Sequence, residues 1–124
     1  MENEIFTRPV LPLRGVIILP GMIANIDVGR SKSIAAVNIV MENDKKIVLV
    51  GQKQMDKEDI GIADLYGFGV LAEIKQQLQL PSGAMRLLVE GLQRIELTDI
   101  TEVHQGESDF FVGQYHLLDR KSVV

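Results

Sequence analysis

The stretch that most constrains the fold of this chain runs from Asp64 to Leu97, DLYGFGVLAEIKQQLQLPSGAMRLLVEGLQRIEL. From Val70 to Leu80 the even positions are Val70, Ala72, Ile74, Gln76, Leu78 and Leu80, apolar but for one, whereas the odd positions are mostly polar. Period-two alternation of this kind marks a strand with one buried face. Beyond Pro81-Ser82-Gly83-Ala84 the phase swaps, and Met85, Leu87 and Val89 carry the apolar face at odd positions. The pattern predicts an antiparallel hairpin pairing Leu80 with Met85 and Leu78 with Leu87 on the buried side, and Lys75 with Glu90 on the wet side. Slipping that register by one residue would reverse the two faces.

The remaining segments are short and extended, with one exception. Thr7 to Arg14 reads as a strand whose Pro9 and Pro12 favour an edge or entry position, because proline cannot donate to a ladder. Val16 to Leu19 reads as a short buried run ended by Pro20-Gly21, and Met22 to Val28 as a strand with Met22, Ala24, Ile26 and Val28 on one face. From Ser31 to Asn43 the spacing of Ile34, Val37 and Val40 or Met41, with Ala35 and Ala36 between, predicts the one helix. Gly29 and Ser31 are candidate N-caps. Lys46 to Gly51 is a buried strand, and Gln52 to Tyr66, rich in charge, a loop with room for one helical turn. Gly91-Leu92 marks a bulge in the second hairpin strand, and Phe110 to Leu118 a last strand. The fold class that follows is mainly β (α+β): six or seven strands, mostly antiparallel and curled on themselves, with the helix (31–43) plugging one side. Residues 1–118 make one domain, and 119–124 read as a tail or linker.

At 124 residues the chain can bury one core without staples. Having no cysteine, it offers neither disulfides nor a thiolate metal site, which fits a reducing compartment. The opening Met1-Glu2-Asn3-Glu4 is acidic where a secretion signal is basic. The apolar stretch from Pro9 to Val28 is interrupted by Arg14, Asp27, prolines and glycines, which argues against a membrane span. A cytoplasmic protein is the expectation. The net charge is −4, with basic and acidic residues balanced through Ile95 and the whole excess after it. Neither part shows the basic face of a nucleic-acid binder.

Catalytic signatures are absent. Gly67-Phe68-Gly69-Val70-Leu71-Ala72 fits G-x-G-x-x-A, but a strand follows where the dinucleotide fold needs a helix N-terminus. His104 and His116 flank a turn with no evident partners for a metal site. Asp56, Glu58, Asp59 and Asp64 lack the spacing of a calcium loop. No nucleophile motif occurs. What remains is apolar surface: Leu88 and Leu92 on the wet face of the hairpin, joined by Leu71, and one ring of Phe110-Phe111, whose side chains point to opposite faces.

Several motifs, in order along the chain, resemble the N-terminal domain of the Lon protease family. They are Leu11-Pro12-Leu13-Arg14, Leu19-Pro20-Gly21-Met22, the run Val28 to Ile34, Gly69 to Ile74, Leu80-Pro81-Ser82-Gly83, and Leu88-Val89-Glu90-Gly91-Leu92-Gln93-Arg94. The sequence departs from that pattern at Gly15, where an acidic residue often follows the arginine. The resemblance implies a PUA-like pseudobarrel serving as the substrate-recognition end of an ATP-dependent serine protease. ATP, magnesium, the AAA+ module and the Ser-Lys dyad would all lie outside this chain, in a homo-hexameric parent.

The chain is therefore expected to be a non-catalytic domain with no cofactor or metal of its own. Its expected partners are unfolded or degron-bearing proteins, held by exposed apolar side chains or by strand addition at an open edge near Pro9, Pro12 or the Phe110 strand. Candidate contact residues are Met22, Leu88, Leu92, Phe110 and Phe111. Self-association, contributing a dimer or ring contact, is the second reading. RNA binding, which some PUA-like folds perform, is the third and the least favoured by charge.

Overall fold

A computed structural model describes residues 4–53, 62–105 and 108–118. Six strands and one helix follow in the order β1 (Phe6–Leu13), β2 (Ile23–Val28), α1 (Ser31–Met41), β3 (Lys46–Gln52), β4 (Leu65–Gln79), β5 (Met85–Gln105) and β6 (Ser108–Leu117). A single 3-10 turn, Ile62–Asp64, leads into β4. The acidic residues 56, 58 and 59 lie outside the described residues.

The strands run β2-β5-β4-β3-β1-β6, and β6 also pairs with β5, so β5, β4, β3, β1 and β6 close on themselves. Every pairing is antiparallel except β1 with β3. β2 and α1 form the crossover between those two parallel strands. Closure depends on the length of β5, which pairs with β2 and β4 in its first half and with β6 in its second. Bulges redirect it on the way. Leu92 is the extra residue opposite the Leu71/Ala72 step, and Thr98 is the extra residue against β6. The bulge expected at Gly91-Leu92 is present.

The hairpin of β4 and β5 forms, but in a register one residue from the expected one. Gly83 donates to the Leu80 carbonyl at 3.0 Å, Leu80 donates to the Ala84 carbonyl at 2.9 Å, and Gly83 has φ 94°. This is a three-residue loop, a turn followed by a left-handed glycine, whereas the expected pairing of Leu80 with Met85 needs a loop of two or four residues. Gln79 therefore pairs with Met85, Leu78 with Arg86, and Gln77 with Leu87. Leu78 is thrown outward and is 58% exposed. Gln77 instead lies over the core face, its Nε2 3.1 Å from the Met85 Sδ. A second bulge at Lys75 then restores the phase, so that Val70, Ala72 and Ile74 are buried as the alternation requires. The Lys75–Glu90 ion pair forms at 3.2 Å across that bulge.

β1 is not an edge. It pairs with β6 over Phe6–Val10 and with β3 over Val10–Leu13. Its prolines are tolerated because each sits where the strand has one neighbour only, Pro9 beside β6 and Pro12 beside β3. β6, which carries Phe110, is likewise paired on both sides. Among the described residues β2 is the strand with a single neighbour.

Helix α1 buries Ser33, Ala36, Val37 and Val40, one stripe at helical spacing, against β1, β3 and β6. One apolar cluster lies beneath it, from Leu11 and Leu49 through Ile74 and Leu87 to Phe110. A second, around Val48, Ile95, Phe111 and Tyr115, fills the opposite face of the same strands. Leu71 packs against this second cluster and so does not extend the hairpin's outer face.

Candidate functional site

Residues 14–22 connect β1 to β2 and form the most apolar exposed feature among those described. Gly15 (φ 73°) and Gly21 (φ 87°) bracket the loop in conformations that favour glycine. Leu19-Pro20-Gly21-Met22 is a β-turn closed by Met22 N–H donating to the Leu19 carbonyl at 3.0 Å, with proline and positive-φ glycine in its two central positions. The loop is pinned to the bulge of β5 by a reciprocal pair of bonds. Gly21 N–H donates to the Gly91 carbonyl and Gly91 N–H to the Met22 carbonyl, each at 2.9 Å. The approach is so close that a Cβ on Gly91 would collide with the Leu19 carbonyl oxygen. This is the physical reason for a glycine in the run Glu90-Gly91-Leu92.

With its backbone pinned, the loop buries only Ile18 and turns the rest outward. Ile17 is 75% exposed, and Val16 and Leu19 are exposed as well. The run Val16 to Leu19, expected to be buried, is therefore mostly surface. Across from it, Tyr66 and Phe68 project from the start of β4, Phe68 at 62% exposure. Between loop and strand lies an open groove of about 610 Å³, with Gln52, Lys53 and Arg94 among its polar lining. The Lys53 ammonium stands 5.9 Å from the centre of the Tyr66 ring, which attracts the cation.

A second concavity adjoins it. The cleft between the C-terminal end of β1 and β2 has a volume of about 630 Å³ and is lined by Arg14, Arg30, Arg86 and Asp27 among others. Leu13 and Val16 line both concavities, so they are continuous. Arg86 and Asp27 pair through two bonds of 2.8 and 3.1 Å. That pairing holds the Asp27 carboxyl below its ordinary pKa.

The five residues singled out from the sequence are not brought together. Met22 is exposed at the end of the loop turn, where its Sδ accepts from Leu19 N–H at 3.3 Å. Leu88 and Leu92 are half-buried on β5: Leu88 lies between Asn25 and Gln76, and Leu92 forms the bulge. Phe110 and Phe111 do point to opposite faces of β6. A closed barrel has a core on one side and the helix-covered core on the other, so both rings are buried, at 4% and 6% exposure. Neither ring is a surface anchor. The groove residues Ile17, Leu19, Tyr66 and Phe68 were missed. Their signal was an apolar run too short to be a strand, flanked by glycines, and two aromatics alternating with Gly67.

The histidines each find a carboxylate. His104 Nδ1 lies 2.8 Å from Asp109 Oδ1, and His116 Nε2 lies 2.9 Å from Glu96. Glu102, His104 and Asp109 place one ligand atom each within 4.8 Å of one another, but all three lie at the surface end of the β5–β6 hairpin. Glu102 there also pairs with Lys32 at 2.9 Å. The G-x-G-x-x-A run lies within β4 and forms no phosphate loop.

Residues 7–123 match the family model of the ATP-dependent protease La (LON) substrate-binding domain. The chain is 38% identical to the Lon protease of Buchnera aphidicola over 99% of its own length, and 45% identical to that of Escherichia coli K12 over 82%. It spans only 15% and 13% of those two proteins. In structure it resembles the N-terminal domain of Mycobacterium avium complex Lon protease, with a TM-score of 0.69 at 19% identity, covering 93% of this chain and 56% of that one. It also resembles the Lon N-terminal domain protein from Xanthomonas campestris, with a TM-score of 0.66 at 15% identity over 92% and 60% of the two chains. These likenesses agree with the mainly β barrel and single helix described above, and the chain belongs to the Lon substrate-binding domain family.

Proposed function

We propose that this chain is the non-catalytic recognition domain of a Lon-type ATP-dependent protease, and that it holds exposed apolar segments of unfolded or degron-bearing proteins in the groove between residues 15–19 and Tyr66–Phe68. The observation that carries the reading is the concentration of exposed large apolar side chains on the two walls of one groove: Val16, Ile17 and Leu19 facing Tyr66 and Phe68. Contiguous apolar surface of this kind marks interaction sites, and each large side chain fully covered by a partner contributes about 1.5–3 kcal/mol. Met22 and Ile23, both exposed, extend the surface toward β2. Beyond it, Leu78 and the half-buried Leu88 make a smaller outer patch.

Binding at one groove is weak, and a hexameric parent supplies avidity by presenting several copies to one client. ATP and magnesium act in the parent's AAA+ module, and no cofactor is assigned to this chain. The setting is the cytoplasm; among the described residues no helix is long and apolar enough to cross a membrane. The test is titration of a labelled, permanently unfolded protein against the chain and an Ile17→Ser/Phe68→Ser variant. The variant should lose most of the binding, and equal binding by both removes the groove from the account. The same surface also suits self-association. Sedimentation across a concentration range separates the two, since an interface between copies predicts oligomers that the double variant abolishes.

A further inference from the structure

The groove between residues 15–19 and Tyr66–Phe68 is lined by two cations, Lys53 and Arg94, and among the described residues by no carboxylate. Arg94 pairs with Val70 across β4 and β5, so its side chain leaves the sheet on the face where Val70 lines the groove. Its backbone is fixed there by Leu118 N–H donating to the Arg94 carbonyl at 2.9 Å. Lys53 follows the last residue of β3, on the other side of β4. Its N–H donates to the Asp64 carbonyl at 2.9 Å, and its ammonium lies over the Tyr66 ring.

Both residues are exposed, and among the described residues neither cation forms an ion pair or a side-chain hydrogen bond. Arg8, Lys32, Lys75 and Arg86, by contrast, each reach a carboxylate at 2.6–3.2 Å. Two carboxylates stand close to the groove, and neither lines it. Glu96 lies opposite Phe68 on the same face but is held by His116 Nε2 at 2.9 Å, and Asp64 is engaged as well. A polypeptide that covers the apolar walls also strips water from Lys53 and Arg94. Removing water from a charge is costly unless a counter-charge replaces it, so the groove discriminates between occupants by what flanks their apolar residues.

We propose that Lys53 and Arg94 set the specificity of the groove, selecting apolar stretches of unfolded polypeptide flanked on both sides by Asp or Glu. One flanking carboxylate meets each cation. The proposal deepens the reading of the groove as a polypeptide site and rests on it. Strand geometry sets the spacing. The Lys53 ammonium lies at Tyr66 and Arg94 stands opposite Val70, with β4 between them. Four residues along β4 and up to two strand spacings separate the charges, about 15–20 Å, which is the span of about five extended residues. The same arrangement works against stretches flanked by Lys or Arg, because like charges would then meet where water has been excluded.

The test uses three labelled peptides that share a core of about five apolar residues and carry Asp, Asn or Lys on both flanks. Their binding to the whole chain is followed by fluorescence anisotropy. The Asp-flanked peptide should bind about tenfold tighter than the Lys-flanked one at low salt, from two attractions gained and two repulsions removed. The Asn-flanked peptide should fall between them, and the ratio should shrink as salt is raised. Lys53→Gln and Arg94→Gln should each narrow the Asp-to-Lys ratio, and the double variant should abolish it. The ratio is read within each variant, so a general loss of affinity does not imitate the effect. Equal binding of the three peptides, or a ratio that survives in the double variant, overturns the charge selection. If Ile17→Ser/Phe68→Ser then still weakens all three peptides, the groove reading stands without it. Peptides that the native chain and the Ile17→Ser/Phe68→Ser variant hold equally, or that neither holds, overturn the groove and the selection with it.

Discussion

Replacing Gly91 with alanine should cost far more than a single methyl group suggests. The added Cβ would collide with the Leu19 carbonyl oxygen, and it also falls 2.9 Å from the Leu19 carbonyl carbon and 3.3 Å from the Pro20 Cα. All three are backbone atoms of a turn whose central residues are proline and positive-φ glycine, so no side chain can swing aside. To relieve the overlap the loop must lift away from β5, breaking the two 2.9 Å bonds between Gly91 and residues 21 and 22. Each is worth about 0.5–1.5 kcal/mol net. The same movement loosens Ile18, the one buried side chain of the apolar run. The expected loss is about 2–6 kcal/mol, the overpacking range of about 1–3 kcal/mol plus a similar amount for the two lost bonds. Urea denaturation measures it, with an unchanged m-value showing that the compactness of the unfolded state has not altered. Gly67→Ala is the control, because a Cβ at Gly67 meets nothing within 4 Å. If the two variants differ by less than about 0.5 kcal/mol, the loop is not held by this contact and the geometry of the groove loses its explanation.

Two further outcomes follow from the hairpin and from the β5–β6 end. Leu78→Ser should change stability by no more than about 0.5 kcal/mol, whereas Leu87→Ala should cost about 2–5 kcal/mol; equal costs in chemical denaturation would mean that the tip pairs in the originally expected register. The hydrogen bond to Asp109 raises the His104 imidazole above its ordinary pKa, so its stabilising contribution is complete below the ordinary value of about 6.5 and disappears as pH rises through the raised one. NMR titration should show the raised value and its return toward the ordinary one in Asp109→Asn, and an unmoved titration in that variant contradicts the assignment.

Elements with strong periodicity were legible from the sequence, and those set by closure or by a turn were not. The helix stands where Ile34, Val37 and Val40 placed it, because its buried stripe is written at helical spacing. The strands β3, β4 and β5 and the Gly91-Leu92 bulge are equally visible. The register was missed because Pro81-Ser82-Gly83 closes as a three-residue loop, and alternation alone cannot distinguish loop lengths that differ by one. Lys75 then absorbs the slip, which no periodicity announces. Phe110 and Phe111 illustrate the effect of closure: one ring on each face is read correctly, but in a barrel plugged by a helix both faces of β6 are interior. The groove was hidden for a related reason. Val16-Ile17-Ile18-Leu19 has the composition of a core segment, and only the bonds of residues 21 and 22 to Gly91 reveal that its backbone is held at the surface with three of its four side chains outward.

The central claim is that the wall of Val16, Ile17 and Leu19 and the wall of Tyr66 and Phe68 together hold apolar polypeptide. Fluorescence anisotropy of a labelled unfolded protein, titrated with the native chain and with the Ile17→Ser/Phe68→Ser variant, tests it most directly. Both replaced side chains are exposed, so the variant keeps its fold. With two large apolar contacts removed at about 1.5–3 kcal/mol each when fully covered, the account predicts binding weakened at least about tenfold. Binding by the variant that is indistinguishable from that of the native chain would contradict it.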